Sequence, residues 1–249
     1  MLNFKNTTLL FALVFLIILI LWTLQMIPFY FGWFALAIYM LIIVLGVVFI
    51  QWNFYVKSIK RLPNKKQVLL SFDDGPDPVL TPLILDILDD YQAKAIFFVI
   101  GEQAEKSPLL LKEIKRRGHI IGNHSYSHSN FFDFFSVKSM IAEVEKTNEI
   151  ITKTIETKVS YFRPPFGVTN PRIAKMLNKT GMKSVAWSFR SYDGGGRSKD
   201  KIIKKMKNKM RGGDILLFHD NRNQTPDILK EALPWLVERF ELKNDFLKH

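Results

Sequence analysis

A long uncharged apolar stretch opens the chain. No charged residue occurs over residues 6–56, and this length accommodates two membrane spans of about 20 residues each. Gln25 and Pro28 interrupt the stretch. We therefore predict one helix over residues 8–24 and a second over residues 31–50, joined as a tight hairpin. Tryptophan and tyrosine residues fall near the predicted helix ends, where amphipathic rings favour a membrane interface.

The two predicted helices indicate a membrane anchor over residues 1–56. A cleaved signal peptide fits poorly, because its apolar region would be shorter and no second span would follow it. The alternative is a buried hairpin within a soluble fold. Residues 57–66 form a basic linker, whereas the loop between the spans carries no charge. The positive-inside rule then favours a cytoplasmic domain on a two-pass protein of the bacterial cytoplasmic membrane, although large domains can translocate despite such charges.

The rest of the chain, residues 67–249, alternates apolar runs of strand length with segments of helical periodicity. Several predicted helices begin with a capping residue followed by proline, namely at Thr81, Ser107, Asn170 and Thr225. Alternating strands and helices predict parallel pairing and an α/β domain. About six such units can be counted, which is too few for an eight-fold barrel but fits a smaller or distorted one.

The composition excludes several kinds of site and indicates the kind of partner. The chain has 249 residues and no cysteine, which excludes disulfides, thiolate metal sites and a cysteine nucleophile. The net charge of +12 indicates acidic partners. No helix-turn-helix, zinc-finger or aromatic RNA-binding signature is present, so an anionic membrane surface is favoured over nucleic acid. No serine lies in a nucleophile-elbow pattern, which disfavours a serine hydrolase.

Polar residues suited to catalysis or metal binding follow the predicted strands. They are Asp73, Asp74, His124, Arg163, Asp193 and His219. In parallel α/β folds the active site lies at the carboxyl ends of the strands. This shared position predicts that these side chains belong to one site.

The adjacent aspartates and the later histidine pair predict a metal site. One carboxylate and two neutral imidazoles, from His124 and His128, leave a divalent metal an open position for hydrolysis. The second carboxylate of the Asp73–Asp74 pair is then free to act as a base. The i, i+4 spacing of the histidines predicts that both rings lie on one side of a helical turn. The alternatives are an Asx turn for the aspartates and a solvated pair for the histidines.

Two further residues favour hydrolytic chemistry. Arg163 precedes a rigid Pro-Pro turn, and an arginine there could hold a carboxylate in a bidentate pair. His219 emerges from an apolar strand-like run and would serve as a general acid, since histidine titrates near neutrality. The alternatives are a surface arginine and a histidine at the edge of the core. His119 matches no other motif, and we predict a structural role for it.

In their order and spacing these motifs resemble the polysaccharide deacetylase family, also called the NodB-homology or carbohydrate esterase 4 family. The resemblance extends over residues 67–236. It implies a distorted (β/α) barrel of about seven units. It also implies a hydrolase that removes N-acetyl groups from amino sugars of a glycan with a divalent metal, most often zinc, with cobalt or another ion as an alternative.

The resemblance also implies roles for the central residues. Asp73 would be the general base, and Asp74, His124 and His128 would be the metal ligands. The ion would activate a water molecule that attacks the amide carbonyl, and Asp73 would take the water proton. These four residues match the family pattern, with a mild change at the neighbouring Ser71, where threonine is usual.

Around this centre the resemblance implies supporting residues. Arg163 would orient Asp73, and the backbone N–H of Phe166 would help to bind the oxyanion. His219 would protonate the leaving amine. Trp187 is assigned to substrate binding.

One motif departs from the family pattern. Family members often carry an aspartate that orients the acid histidine, followed at a fixed spacing by aspartate-tryptophan. Here Arg190 stands at the first position and Gly194 replaces the tryptophan. Asp193 is then the candidate partner of His219. This departure bears on the acid step and on the sugar subsite, not on the metal site.

Three functions remain open at this point. The first is deacetylation of a polysaccharide or of peptidoglycan. The second keeps the chemistry but acts on a sugar linked to polyprenyl phosphate at the membrane face. The third is a catalytically degenerate, membrane-tethered glycan-binding module, which the changes at Arg190 and Gly194 favour and the intact base, ligands and acid oppose.

Overall fold

The computed structural model describes residues 3–247. Its strands are β1 (Gln67–Asp73), β2 (Ala95–Val99), β3 (Ile120–Asn123), β4 (Tyr161–Phe162), β5 (Lys183–Ser184), β6 (Phe189–Arg190), β7 (Ile215–His219) and β8 (Glu241–Leu242). Its α-helices are α1 (Phe4–Thr23), α2 (Tyr30–Val48), α3 (Leu80–Asp90), α4 (Gly101–Lys106), α5 (Pro108–Arg116), α6 (Val137–Ile155), α7 (Pro171–Thr180), α8 (Lys199–Lys209) and α9 (Thr225–Val237).

Helices α1 and α2 are apolar on all sides. Their mean hydropathy is 2.3 and 2.5, and only 6% and 11% of their most apolar windows are buried inside the fold. By length and composition each could cross a membrane, and both lie within a few residues of the predicted spans. Two helices of this kind fit a membrane hairpin or a signal sequence. They leave a large apolar surface that the rest of the chain does not cover.

The strands form one curled parallel sheet with the order β5-β4-β3-β2-β1-β7-β6, and β8 pairs with the start of β1. In the central register Asp73 lies opposite Phe98 on one side and His219 on the other. Within residues 3–247 no strand pairing joins the edges β5 and β6. The sheet is therefore an open, distorted (β/α) half-barrel, which confirms the predicted fold class.

The basic linker partly fills the gap between these edges. Ile59 forms a parallel bridge with Val185, and Arg61 forms an antiparallel bridge with Asp214. The Ala186 amide donates to the carbonyl of Ile59 at 2.8 Å. Val185 and Ala186, directly after β5, therefore pair with the linker.

Helix starts follow the local signals in the sequence only in part. The predicted caps at Thr81 and Thr225 are wrong, because Val79 and Gln224 occupy the cap positions of α3 and α9 and the two threonine hydroxyls donate to Asp220 and Asp193 instead.

Other caps agree with the sequence. The side chain of Asn170 accepts hydrogen bonds from the amides of Arg172 and Ile173 at the start of α7. Ser136 caps α6 through the amide of Ser139. Such caps satisfy amides that the first helical turn leaves without partners.

The end of the apolar hairpin packs against the carboxyl ends of the strands. The amide of Thr169 donates to the carbonyl of Val47 at 3.0 Å. Ile50, which is 1% exposed, belongs to a small cluster with Ala186, Trp187 and Leu217. The hairpin therefore joins the α/β domain at the end of the sheet where the predicted site lies.

Candidate active site

A cleft of about 450 Å³ opens at the carboxyl ends of the strands. Predicted site residues that line it are Asp73, Asp74, His124, His128, Phe166, Trp187 and His219. Two other predicted residues, Arg163 and Asp193, lie beneath it and are fully or almost fully buried. The structure thus gathers every predicted site residue around one cavity.

Asp74 and the two histidines have the spacing of metal ligands. The Oδ1 atom of Asp74 lies 3.6 Å from Nε2 of His124 and 3.5 Å from Nε2 of His128. These distances exceed an N–H···O hydrogen bond of about 2.7–3.2 Å. They match the separation of about 3.4 Å expected for two ligand atoms bonded tetrahedrally to one zinc ion. The donor set present, two imidazoles and a carboxylate, therefore fits a divalent cation of the zinc type.

A backbone carbonyl orients His124. Its Nδ1 atom lies 2.7 Å from the carbonyl oxygen of Arg163. A carbonyl only accepts, so Nδ1 carries the proton, and in the neutral ring Nε2 then presents its lone pair toward Asp74. An outer hydrogen bond of this kind is usual for histidine ligands of metals.

The histidine pair lies on a loop and not on a helical turn, so the predicted helical geometry is wrong. Ser125 and His128 both have positive φ, 66° and 48°, which breaks any helix. The side chain of Asn123 accepts from the amide of Ser125, and the hydroxyl of Ser125 accepts from the amide of His128. These bonds fold the loop so that the two rings lie 4.8 Å apart.

Asp74 is held in its ionised form. Burial alone would raise its pKa, but the nearby imidazoles of His124, His219 and His128 lower the pKa well below its usual range. Its backbone φ of 76° is one that aspartate tolerates better than most residues. An ionised carboxylate is the form that binds a cation.

Asp73 pairs with a fully buried arginine. Nη1 of Arg163 donates to Oδ1 of Asp73 at 2.6 Å and to the hydroxyl of Ser71 at 3.0 Å. The other guanidinium donors reach the carbonyls of Val185 and Ala186, each at 3.1 Å. The pair is therefore single-contact and not the predicted bidentate one, because the edge of the sheet takes the remaining donors. Oδ1 of Asp73 is committed to Arg163, while its Oδ2 lies 3.8 Å from His124.

His219 is paired with Asp193. Its Nδ1 lies 2.8 Å from Oδ1 of Asp193, and its amide donates to Oδ2 at 2.7 Å. The hydroxyls of Ser191 and Thr225 also donate to this carboxylate. Burial would lower the pKa of His219, but the hydrogen bond and charge of Asp193 raise it above its ordinary value. The ring is thus held through Nδ1, and its raised pKa favours the protonated form.

Phe166 has an unusual backbone. Its φ is 59° and its ψ is 1°, and within residues 3–247 its amide donates to no protein acceptor. The next residue, Gly167, also has positive φ, and a Cβ there would lie 2.2 Å from the ring of Trp187. This close approach needs glycine and fixes the loop against the indole. This loop conformation places the N–H of Phe166 in the wall of the cleft, without an acceptor among residues 3–247.

Two further residues that the sequence motifs did not indicate also line the cleft. Arg222 and Tyr192 line it beside His219. Arg222 follows His219 by three positions in the loop after β7. Its position after a strand is the one sequence feature that could have indicated a place in the site. Asp220 is fully buried behind the cleft, and burial raises its pKa to about 7 although a bond from Thr81 opposes the shift.

The predicted structural role of His119 agrees with its surroundings. It is buried, and its Nδ1 accepts from the amide of Ala95 at 3.1 Å. Burial, with the charge of Lys94, lowers its pKa to about 4, so the ring is neutral. It lies at the start of β3, away from the carboxyl ends of the strands.

Comparison with known proteins identifies the family. A family model described as polysaccharide deacetylase matches residues 60–185. The chain belongs to the polysaccharide deacetylase family. A peptidoglycan-N-acetylglucosamine deacetylase of Bacillus cereus is 32% identical over 75% of this chain and 90% of the relative.

Solved structures of other polysaccharide deacetylase family members share the fold. The peptidoglycan deacetylase PdaC of Bacillus subtilis is 31% identical, with a TM-score of 0.67 over 72% of this chain and 88% of the other. A family 4 pseudoenzyme from Bacillus anthracis is 28% identical, with a TM-score of 0.69 over 74% of this chain and 66% of the other. A pseudoenzyme thus shares this fold, so activity depends on the residues of the site and not on the fold alone.

Proposed function

We propose that this chain is a metal-dependent N-deacetylase that hydrolyses the N-acetyl groups of amino sugars in a glycan. The names of the relatives support an amino-sugar glycan as substrate. The observation that carries the proposal is the meeting, in one cleft, of a candidate metal site, an arginine-bound carboxylate and a carboxylate-bound histidine.

Asp74, His124 and His128 would hold the divalent ion. When bound there, zinc or a similar ion would supply Lewis-acid chemistry, activating water and polarising the amide carbonyl. The protein residues carry the proton transfers. Asp73, fixed through one oxygen by Arg163, would accept the proton of the attacking water with its other oxygen.

The remaining groups act on the tetrahedral species and the leaving group. The amide of Phe166 would donate a hydrogen bond to the developing oxyanion, since it has no competing acceptor. His219 would give its Nε2 proton to the departing nitrogen as the carbon–nitrogen bond breaks, and Asp193 would stabilise the ring. The net reaction consumes one water and yields acetate and a free amine.

The first experiment is acetate release from N-acetylglucosamine oligomers by the full-length protein in detergent, with added zinc or cobalt. We expect metal-dependent release that the Asp73→Asn variant lacks. The variant should still bind metal, because Asp73 is not among the proposed ligands. Equal release without metal, or by the variant, would overturn the mechanism. Failure to bind any divalent ion would instead favour the degenerate binding module.

We also propose that α1 and α2 anchor the protein as a two-pass hairpin in the bacterial cytoplasmic membrane. The small buried fraction of both helices supports this, because an apolar surface of that size needs a cover. The basic linker favours a cytoplasmic domain. Protease digestion of intact cells and of inverted vesicles tests the orientation, since a cytoplasmic domain is cleaved only in the inverted vesicles.

A second substrate candidate, an amino sugar carried by a membrane lipid, is supported by the position of the cleft. Thr169, three residues after Phe166, bonds to the end of α2, and three residues span at most about 11 Å. Ile50 packs against Trp187 of the cleft wall. If the hairpin spans the membrane, the cleft opens near the bilayer surface, where a lipid-linked sugar is presented.

A further inference from the structure

Two arginines line the cleft without a role in the proposed hydrolysis. Arg190 ends β6, and Arg222 lies in the loop after β7. Both are exposed, with the side chain of Arg222 46% exposed. Their guanidinium groups can therefore meet a molecule that enters the cleft.

Neither guanidinium group is hydrogen-bonded within the described part of the chain. Arg190 stacks near the rings of Trp187 and Tyr192, at 5.8 and 5.3 Å, and no carboxylate lies within ion-pair distance of it. The only carboxylate contact of Arg222 within residues 3–247 is with Oδ2 of Asp74 at 3.6 Å, which is too long for a hydrogen bond. These donors are available to a ligand.

More positive charge surrounds Tyr192. The guanidinium of Arg197 lies 4.1 Å from the ring centre and the ammonium of Lys205 lies 4.3 Å from it. Lys205 also donates to the carbonyl of Arg190. Burial and the charges of Arg197, Lys209 and Arg190 lower the pKa of Lys205 to about 8. Cations this close repel one another, so an anion bound among them would be stabilised.

Gly194, which replaces the tryptophan of the family pattern, lies beside Arg222 in this group of cations. A Cβ at this position would lie 3.1 Å from Nε of Arg222, closer than most contacts of real side chains. A tryptophan there would occupy the space that Arg222 uses. The two departures from the family pattern thus act together, since Arg190 adds a cation and Gly194 makes room for another.

We propose that Arg190 and Arg222 form an anion subsite that binds a phosphate group carried by the amino-sugar substrate. Guanidinium groups match phosphate oxygens with paired donors. The number of neighbouring cations favours phosphate over a single carboxylate, which would neutralise only one of them. This inference rests on the proposed deacetylase function and specifies its substrate class. The phosphate could belong to a soluble sugar phosphate or to a lipid carrier.

The test compares three substrates with the full-length protein in the presence of zinc. They are the neutral N-acetylglucosamine trimer, its 1-phosphate in solution, and the trimer joined through diphosphate to a prenyl chain in vesicles. The readout is the ratio of kcat/KM for each phosphorylated substrate to that for the neutral trimer. We expect a ratio of ten or more, which falls at least tenfold in Arg190→Gln and in Arg222→Gln. Arg190→Lys should restore part of it.

Arg239→Gln is the matched control, because Arg239 is exposed after α9, near the opposite end of the sheet, and its loss should not change the ratio. A high ratio for both phosphorylated substrates supports the subsite, and a high ratio for the vesicle substrate alone that is lost in Arg190→Gln assigns it to a lipid carrier. A ratio near one, or a high ratio insensitive to both arginines, overturns the subsite while leaving the deacetylase intact. Absence of acetate release from all three substrates contradicts the deacetylase itself.

Discussion

The charged side chains on the floor of the cleft are buried and paired, whereas those on its rim are exposed and make no hydrogen bond among the described residues. On the floor, Arg163 is fully buried and bound to Asp73, and Asp193 is bound to His219. On the rim, Arg190 and Arg222 are exposed and lack hydrogen-bond partners among residues 3–247. Buried charges need partners because removing a charge from water is costly. Exposed charges remain solvated and can bind a ligand when one arrives. Under the proposed function, the paired residues of the floor would hold the reacting groups in place, and the exposed arginines of the rim would bind the substrate.

The largest effect should come from removing a floor ligand. Asp74→Ala takes one of three proposed donors, so we expect both bound metal and acetate release to fall to background. Metal content after dialysis and acetate release measure this together. Glu145→Ala, on the exposed face of α6, is the control and should leave both unchanged. A variant at Asp74 that keeps stoichiometric metal would contradict the ligand assignment.

Breaking the arginine pair should affect stability as well as activity. Arg163→Leu leaves Asp73 buried without its cation, and we expect a loss of about 3–5 kcal/mol in unfolding free energy, or roughly 6–20 °C in Tm. Thermal unfolding of the full-length protein measures it. Arg239→Leu removes an exposed arginine and should shift Tm little. A comparable Tm for both variants would show that the buried pair is not stabilising.

The pairing of His219 makes a prediction about pH. Asp193 raises the pKa of His219, so the acid form persists to higher pH than an ordinary histidine would allow. In Asp193→Asn that pKa falls, and the alkaline limb of the kcat/KM profile should move to lower pH. At neutral pH, kcat/KM should fall about 10- to 100-fold. This is part of the roughly 100- to 10,000-fold rate enhancement that a positioned acid supplies. An unshifted alkaline limb would mean that His219 does not set it.

The smallest effect should come from the rim. Gly194→Ala places a methyl group 3.1 Å from Nε of Arg222, so the guanidinium must move by a fraction of an ångström. We expect the phosphate preference to fall about threefold, or ~0.7 kcal/mol, with Tm nearly unchanged. Gly196→Ala serves as a comparison in the same loop, because a Cβ there meets nothing within 4 Å but the positive φ of 71° adds strain. An equal fall in both variants would point to loop strain and not to Arg222.

Local patterns in the sequence accounted for much of the fold. Alternating apolar runs and helix-start signals predicted the strand–helix order, because hydrophobic periodicity and helix-start signals are set by residues close together in the chain. They also indicated that Asp73 and His219 end strands, and the register then places these two residues side by side. The uncharged N-terminal stretch predicted two long apolar helices for the same local reason.

Contacts between distant segments decided the rest. The backbone turns at Ser125 and His128 depend on bonds within a folded loop that no helical spacing indicates. The single-contact geometry of Arg163 arises because carbonyls beyond β5 take its other donors. The sequence by itself determined which residue types follow the strands. Only the tertiary structure decided which of them share a cavity and which cations remain unpaired at its rim, because those depend on packing between segments far apart in the chain.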